Sequence, residues 1–197
     1  MHDNRTKSIL ESLQQGQISV DDALLQLKLE PFQDLGYAKV DHHRRLRQGV
    51  PEVIYGAGKT PEQMVGIVSA MEEAGQETVL ITRLSPEAAE IVGRTHPLTY
   101  HEMGRIATVG PLPEPDGLGT IVIATGGTSD VPVAEEAAVT AQALGNRVRR
   151  LYDVGVAGVH RLLANLEYIM DASVIIAIAG MELSLIHISE PTRHLRI

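Results

Sequence analysis

The chain of 197 residues contains no cysteine, no tryptophan and a single phenylalanine. The missing cysteines exclude disulfides, thiolate zinc sites and a cysteine nucleophile within these residues. No apolar run approaches the roughly 20 residues that cross a bilayer, and the first residues lack the apolar core of a signal peptide. The net charge of −8 argues against a broad nucleic-acid surface. We therefore expect a cytoplasmic protein that binds neither nucleic acid nor a membrane.

What the chain does contain is a regular alternation of short apolar strands and helical segments. Helix starts are marked by Thr60-Pro61 and by Ser85-Pro86, where a capping hydroxyl precedes a proline. The pattern predicts strands at 52–55, 78–82, 121–125, 148–152 and 174–178, and helices starting at residues 61, 86, 131 and 157. Such alternation predicts an α/β fold, with a parallel sheet and right-handed crossovers.

The remaining segments suggest how the chain is divided. Residues 6–28 have the pattern of two short helices, residues 31–36 interrupt it, and residues 98–109 resemble irregular strand material. The stretch 111–119 contains three prolines and two glycines and is the best linker candidate. We expect a small α+β N-terminal region at 1–112 and a second domain at 113–182.

The last residues depart from this pattern. Leu183–Arg193 reads LSLIHISEPTR, which resembles a translated sequencing-library adapter. We expect residues 183–197 to be a non-native tail and the natural protein to be cut off near Glu182. His187, Glu190 and Arg193 would then carry no function.

The strongest candidate site is the turn that follows the apolar strand 121–123. It consists of Gly126, Gly127, Thr128, Ser129 and Asp130, and an alanine-rich helix follows it. Ligands of open α/β sheets bind at the carboxyl ends of strands, and glycines let the backbone approach them. Free N–H groups at a helix start attract anions, and a carboxylate beside them suits acid–base work. The alternative is that Ser129 or Asp130 merely caps the helix.

A second candidate is His160-Arg161, in the loop after the next strand. Loops after parallel strands end at the same sheet edge, so this pair should face the Asp130 turn. Histidine moves protons near neutral pH, and arginine holds phosphate or carboxylate bidentately. The alternative is a helix-surface pair without a partner. Asp153 is either a ribose-binding carboxylate or, as we prefer, a loop cap. Adjacent glutamates such as Glu135-Glu136 usually face solvent in the first helical turns.

Three further motifs are weaker. Gly56-Ala57-Gly58-Lys59-Thr60 resembles a phosphate-binding loop, but Val53 stands where the motif needs its first glycine. Asp41-His42-His43-Arg44-Arg45 suits an anion-binding or interface patch better than a metal site, because adjacent side chains point in different directions. His96 and His101 are expected to be structural.

Taken together, several motifs resemble the LarB family. They are Tyr37-Ala38-Lys39-Val40-Asp41-His42-His43-Arg44, Arg47–Tyr55, Ala124–Glu136, Asp153–Leu163 and Ala179-Gly180-Met181-Glu182. The resemblance covers residues 1–182. It implies a second domain similar to the PurE-type aminoimidazole ribonucleotide carboxylases, with a flavodoxin-like three-layer fold. Members of the PurE family also form octamers whose active sites lie between subunits, so a homo-octamer is the implied assembly.

The resemblance also implies a reaction. LarB proteins make pyridinium-3,5-biscarboxylic acid mononucleotide, an intermediate of the nickel-pincer cofactor of lactate racemase. Nicotinic acid adenine dinucleotide is carboxylated at C5 of its pyridinium ring by CO2 or bicarbonate, and its phosphoanhydride is hydrolysed to release AMP. By motif position, Ser129, Asp130 and Glu135 would be catalytic, and Gly126, Gly127, Thr128, His160 and Arg161 would bind substrate. No resident cofactor is implied; Mg²⁺ is a candidate, and Glu135 is the alternative acid–base or metal-associated carboxylate.

Two other functions stay open. One is a carboxylase or mutase acting on aminoimidazole ribonucleotide, although the purine enzymes lack the N-terminal segment with its DHHR stretch. The other is a non-catalytic nucleotide-binding module that uses the turn from Gly56 to Thr60.

We predict that the chain as written does not catalyse the LarB reaction. In the family mechanism a cysteine adds to the pyridinium ring and makes C5 nucleophilic, and this chain has no cysteine. Incubation with nicotinic acid adenine dinucleotide and bicarbonate should yield neither AMP nor the dicarboxylated product by mass spectrometry. Turnover at the rate of an intact family member, assayed in parallel, would contradict the prediction.

Overall fold

A computed structural model of the chain describes residues 2–29, 32–41, 44, 50–155 and 158–180. Two helices open it, α1 (His2–Gln14) and α2 (Val20–Leu29), as the sequence predicts. Ser19 and Asp22 exchange hydrogen bonds at the start of α2, where the Ser19 Oγ accepts from the Asp22 N–H at 3.0 Å. Within the described residues, no helix is long and apolar enough to cross a membrane.

A small antiparallel hairpin follows, built from β1 (Phe32–Asp34) and β2 (Lys39–Asp41). Its turn depends on Gly36, which has a φ of +81° and donates its N–H to Asp34 Oδ1 at 2.8 Å. The sequence pattern predicts only a break at 31–36, because strands of three residues are too short to show an alternation. His42, His43 and Arg45 of the basic stretch lie outside the described residues.

The first sheet has four strands in the order β3-β4-β6-β5. They are β3 (Val53–Tyr55), β4 (Val79–Thr82), β5 (Leu98–His101) and β6 (Ile106–Val109). β3 and β4 are parallel and are joined by helix α3 (Pro61–Glu73), whereas helix α4 (Pro86–Gly93) lies between β4 and β5 in the chain. Both helices start at the predicted capping residues, Thr60 and Ser85.

The strands expected at 98–109 are present, but they are regular and not irregular as predicted. β5 and β6 form a regular antiparallel hairpin, and β6 also pairs antiparallel with β4. A connection of only four residues, 102–105, cannot support a parallel crossover, so the two strands must run in opposite directions. The sheet of the N-terminal region is therefore mixed.

The second sheet is fully parallel, in the order β8-β7-β9. Its strands are β7 (Thr120–Thr125), β8 (Arg147–Leu151) and β9 (Val174–Ile178). Helix α5 (Val131–Ala143) covers one face, whereas α6 (Val159–Leu163) and α7 (Leu166–Met170) contribute Leu162 and Ile169 to the core on the other. This arrangement confirms the predicted α/β class.

The single helix expected at 157–169 is in fact two short helices, α6 and α7. Asn165 separates them, because its side-chain Nδ2 donates to the Arg161 carbonyl at 2.8 Å. In a continuous helix that carbonyl would accept the backbone N–H of Asn165, which instead bonds Leu162 O at 3.0 Å. Local side-chain bonding by asparagine thus ends the helix.

Helix α5 packs on both sheets. Ala134 and Ala138 lie with Ile123 of β7, while Val139 and Ala143 lie with Leu80 of β4 and Ile106 of β6. The predicted linker, 111–119, contains no helix or strand. The division at residue 112 stays a prediction.

His96 has a structural role, as expected, because its ring is buried and held by two partners. It is 7% exposed, its Nδ1 lies 2.8 Å from Glu72 Oε2, and its Nε2 lies 3.1 Å from Ser69 Oγ. The ring therefore joins helix α3 to the turn after α4. The Nε2 of His101 is buried without a hydrogen-bond partner among the described residues.

We predict that Ala138→Leu destabilises the protein by about 1 to 3 kcal/mol, because the larger side chain must enter a closed interface. Ala138 is fully buried between α5 and β7. Urea denaturation followed by circular dichroism measures the effect. The exposed Ala164→Leu is the matched control and should change stability little. Equal unfolding midpoints for the two variants would contradict tight packing at α5.

Candidate active site

Two glycine-containing turns meet at the carboxyl edge of the parallel sheet. The Gly126 N–H donates to Ile178 O at 3.0 Å, and the Gly126 carbonyl accepts from the Gly155 N–H at 3.1 Å. A Cβ on Gly155 would lie only 3.0 Å from the Gly126 carbonyl carbon, so a side chain cannot be accommodated there. These contacts hold the ends of β7, β8 and β9 together, as the sequence argument expected of parallel strands.

Asp130 is the polar centre of this edge. Its Oδ2 accepts from the Gly127 N–H at 3.0 Å, and its Oδ1 accepts from the Gly180 N–H at 3.1 Å. Asp130 occupies the N-cap position of α5, but its side chain makes no capping bond to that helix. The carboxylate thus joins the turn after β7 to the loop after β9.

The hydroxyl residues of the turn have a different environment. Thr128 and Ser129 lie in a short 3-10 turn, Thr128–Asp130, and both are exposed. The part of the chain that the structure describes offers Ser129 no hydrogen-bond partner. Its hydroxyl is therefore free to meet a ligand at this edge.

Asp153 joins the loop after β8 to the same edge. Thr125 is completely buried, and its Oγ1 accepts from the Asp153 N–H at 2.9 Å. The Asp153 carboxylate forms an ion pair with the Arg161 Nη1. His160 is exposed on helix α6, beside Arg161. The description of His160-Arg161 as a pair without a partner is wrong for Arg161.

Asp153 is more than the loop cap that we preferred, because its carboxylate pairs with Arg161. The position of Asp153 directly after a strand is a sequence signal for a functional contact, since that position lies at the ligand-binding edge of a parallel sheet. What could not be read from the sequence was which cation it would meet.

Glu135 does not join this group of contacts. Its Oε1 accepts from Arg150 Nε at 3.1 Å and from the Tyr152 hydroxyl at 2.5 Å, and Arg150 Nη2 lies 3.4 Å from Oε2. Burial, and after it the hydrogen bond to Glu135, raise the pKa of the Tyr152 hydroxyl well above its ordinary value. The network fixes α5 on strand β8.

The expectation that Glu135 and Glu136 face solvent was wrong. Their side chains are 18% and 19% exposed. Glu136 pairs with Arg83 at 3.0 Å, across to the end of β4. Both acids lie between elements because α5 is enclosed by two sheets, which helix periodicity alone does not show.

The turn from Gly56 to Thr60 has the geometry of an ordinary helix start. The Thr60 Oγ1 accepts from the Gln63 N–H at 3.3 Å and the Gln63 side chain accepts from the Thr60 N–H at 3.0 Å, a capping box. The Lys59 Nζ donates to Tyr55 O at 3.0 Å, back along its own chain. Neither side chain is arranged around a phosphate.

The described residues form no binding site for the candidate Mg²⁺. No group of three or more His, Asp or Glu side chains there is placed to hold a metal ion. Both oxygens of Asp130 already accept backbone N–H groups. The described residues therefore do not fit a magnesium centre.

The fold belongs to the α/β class, whose members commonly bind ligands at the carboxyl ends of a parallel sheet. Residues 32–111 match the family model of the LarB/PurE-like N-terminal domain. The chain is also 32% identical over 185 residues to an uncharacterized protein of Methanocaldococcus jannaschii, an alignment that covers 89% of this chain and 72% of that protein. The chain therefore belongs to the LarB/PurE family, a family of carboxylases and mutases.

We predict that Asp130→Asn destabilises the protein by about 1 to 3 kcal/mol, because one amide cannot accept from both backbone N–H groups as the carboxylate does. Thermal unfolding measures the loss. Asp171→Asn, the same change at an exposed position, is the control and should unfold like the wild type. An Asp130→Asn variant as stable as this control would show that the two bonds contribute little.

Proposed function

We propose that the protein is a LarB-type member of the family and binds nicotinic acid adenine dinucleotide for carboxylation at C5 of the pyridinium ring. The companion step is hydrolysis of the phosphoanhydride, which releases AMP and pyridinium-3,5-biscarboxylic acid mononucleotide for the nickel-pincer cofactor. CO2 or bicarbonate is the co-substrate. The observation that carries the proposal is the family N-terminal domain at 32–111, followed in one chain by the Asp130 turn.

The charges at the carboxyl edge of the sheet support a substrate of this kind. Nicotinic acid adenine dinucleotide combines a cationic pyridinium ring with anionic carboxylate and pyrophosphate groups. In the proposal, Arg161 and His160 hold anionic groups, whereas the carboxylate of Asp130 lies on the side of the cationic ring. Ser129 donates or accepts through its free hydroxyl, and Gly126, Gly127 and Thr128 let the backbone approach the ligand.

Glu135 has a weaker place in the proposal. A general base must reach the proton that it removes, and the carboxylate of Glu135 is held by Arg150 and Tyr152. Its role as an acid–base group requires that this network open when substrate binds. Otherwise Glu135 supports the position of α5, and through it the Asp130 turn.

The chain contains the residues proposed to bind the substrate, but it lacks the thiol that the family mechanism uses. Binding uses the turn and the loop after β8, all within residues 125–161. Forming the carbon–carbon bond requires an electron-rich C5, which in the family mechanism follows addition of a thiolate to the ring. No residue of this chain is a thiol. A binding assay is therefore the informative test of substrate identity.

A second candidate is aminoimidazole ribonucleotide, the substrate of the PurE-type enzymes. It is favoured by the Gly-x-Ser-Asp turn and the His-Arg loop, which resemble those of the purine enzymes. It also carries a ribose phosphate that Arg161 could hold. The N-terminal domain is the feature that favours the dinucleotide.

We expect calorimetry to show binding of nicotinic acid adenine dinucleotide and weaker or no binding of aminoimidazole ribonucleotide. Ser129→Ala should weaken the binding by about 2- to 10-fold, the effect of one lost hydrogen bond. The exposed Ser8→Ala, on helix α1, is the matched control and should bind like the wild type.

The reverse order of the two affinities would favour the purine substrate. ATP binding that is lost in Lys59→Ala and retained in Asp130→Ala would instead favour a nucleotide-binding module at the turn from Gly56 to Thr60.

A further inference from the structure

The turn between β5 and β6, residues 102–105, lies directly against the first turns of helix α5. Gly104 is buried in this turn, and a Cβ on it would lie 2.9 Å from the Glu136 backbone nitrogen and 3.1 Å from the Glu135 carbonyl carbon. The φ of Gly104 lies outside the left-handed region, so other residues could adopt its backbone conformation. The glycine is therefore required by the close contact with α5 and not by the shape of the turn.

The same turn is fixed to the end of strand β4. The Arg105 carbonyl accepts from the Leu84 N–H at 2.7 Å, and the Arg105 N–H donates to Glu102 O at 3.1 Å. Arg83 and Arg105 have φ values of +53° and +49°, in the left-handed region that residues with a Cβ rarely adopt. Such conformations persist only where surrounding contacts determine them. The first sheet is thus held in one shape at the place where it meets α5.

Arg83 makes a second contact between the first sheet and α5. Its Nε donates to Glu136 Oε1 at 3.1 Å, and its Nη2 lies 3.0 Å from Glu136 Oε2. Two parallel bonds of this kind fix the orientation of the partners as well as their distance. The pair between Arg94 and Glu90 differs, because both side chains are well exposed and belong to one helix and its end. Only the Arg83 pair joins β4 to α5 among these two.

Helix α5 carries these contacts to the Asp130 turn. Glu136 lies less than two helical turns after Asp130, roughly 9 Å along the axis at 1.5 Å per residue. The network of Glu135 holds the same part of α5 to strand β8. Because hydrogen bonds within the helix keep this segment rigid, a displacement at Glu136 must also displace Asp130.

We propose that Gly104 and Arg83 are positioning residues for the Asp130 turn. They do not touch the ligand; they fix the start of α5, and α5 fixes the turn at which the substrate binds. Both residues belong to the family's N-terminal domain, residues 32–111, which thereby holds a site built on the second sheet. The inference rests on the proposed function for the place of substrate binding.

The test combines calorimetry of nicotinic acid adenine dinucleotide binding with hydrogen exchange measured by NMR, on the full chain. Gly104→Ala should weaken binding by about 3- to 10-fold, the size of effects transmitted through packed elements. It should also speed exchange of the Gly127 N–H, which bonds Asp130, while exchange at the buried Val122 of β7 stays unchanged. A general loss of stability would instead accelerate both amides.

The chain offers a matched control for each contact. A Cβ on Gly93 would meet only Leu98 Cγ at 3.8 Å, an ordinary contact, so Gly93→Ala makes the same change without a clash. Arg94→Ala removes the exposed ion pair with Glu90. Both control variants should bind the dinucleotide and exchange like the wild type.

Arg83→Ala and Glu136→Ala test the second contact even if Gly104→Ala fails to fold. Each should weaken binding by about 2- to 5-fold, and the double variant should bind no more weakly than either single variant. Glu136→Ala gives the sharper result. Removing a negative charge would by itself strengthen binding of an anionic dinucleotide, so a weaker affinity reports a displaced turn and not a changed charge.

Three results would overturn the inference. They are Gly104→Ala that binds and exchanges like the wild type, Glu136→Ala that binds the dinucleotide as tightly as the wild type or more tightly, and equal acceleration of exchange at Gly127 and Val122.

The two proposals fail separately. Selective acceleration at Gly127 in Gly104→Ala and Glu136→Ala, in a protein that binds no nicotinic acid adenine dinucleotide, would reject the proposed function and leave the positioning role intact. Dinucleotide binding that is unchanged in all three variants would reject the positioning role alone.

Discussion

The packing of helix α5 between two sheets is the constraint on which the rest of the structure depends. Its alanines, Ala134 and Ala138, let the helix approach β7 closely, while Val139 and Ala143 fill the space against β4 and β6. Because small side chains bring the helix close to both sheets, its N-terminus is held in a defined place. That N-terminus carries Asp130, so the core determines where the polar edge of the parallel sheet lies.

The charged groups around α5 follow from this enclosure. A carboxylate that is removed from water is stabilised only when hydrogen-bond donors or cations replace the lost water. Glu135 accepts hydrogen bonds from Arg150 and Tyr152. Glu136 forms an ion pair with Arg83, and Asp130 accepts from two backbone N–H groups. Each of these bonds also joins the helix or its preceding turn to another element. Arg161 pairs with Asp153, which joins helix α6 to the loop after β8. The acids around α5 thus stabilise the fold.

Much of the fold could be predicted because its signals are local. The starts of α3 and α4 depend on a hydroxyl and a proline within a few residues, and strands β7 and β9 are short apolar runs. The errors have a common origin in contacts between distant residues. The antiparallel pairing of β6 with β4, the division of the helix at Asn165 and the burial of Glu135 all depend on neighbours that local patterns do not specify.

By itself, the sequence determined the α/β class and the positions of most elements, and it predicts the turn at 126–130 as the place for chemistry. Hydrophobic periodicity and glycine placement act over short stretches of chain, and their consequences can be read directly. Only the tertiary structure decided that Asp153 holds Arg161, that Asp130 joins two loops, and that Glu135 serves the helix–sheet contact. The physical reason is that a charged side chain takes its role from the partners that folding brings within hydrogen-bond distance, and these come from separate strand ends.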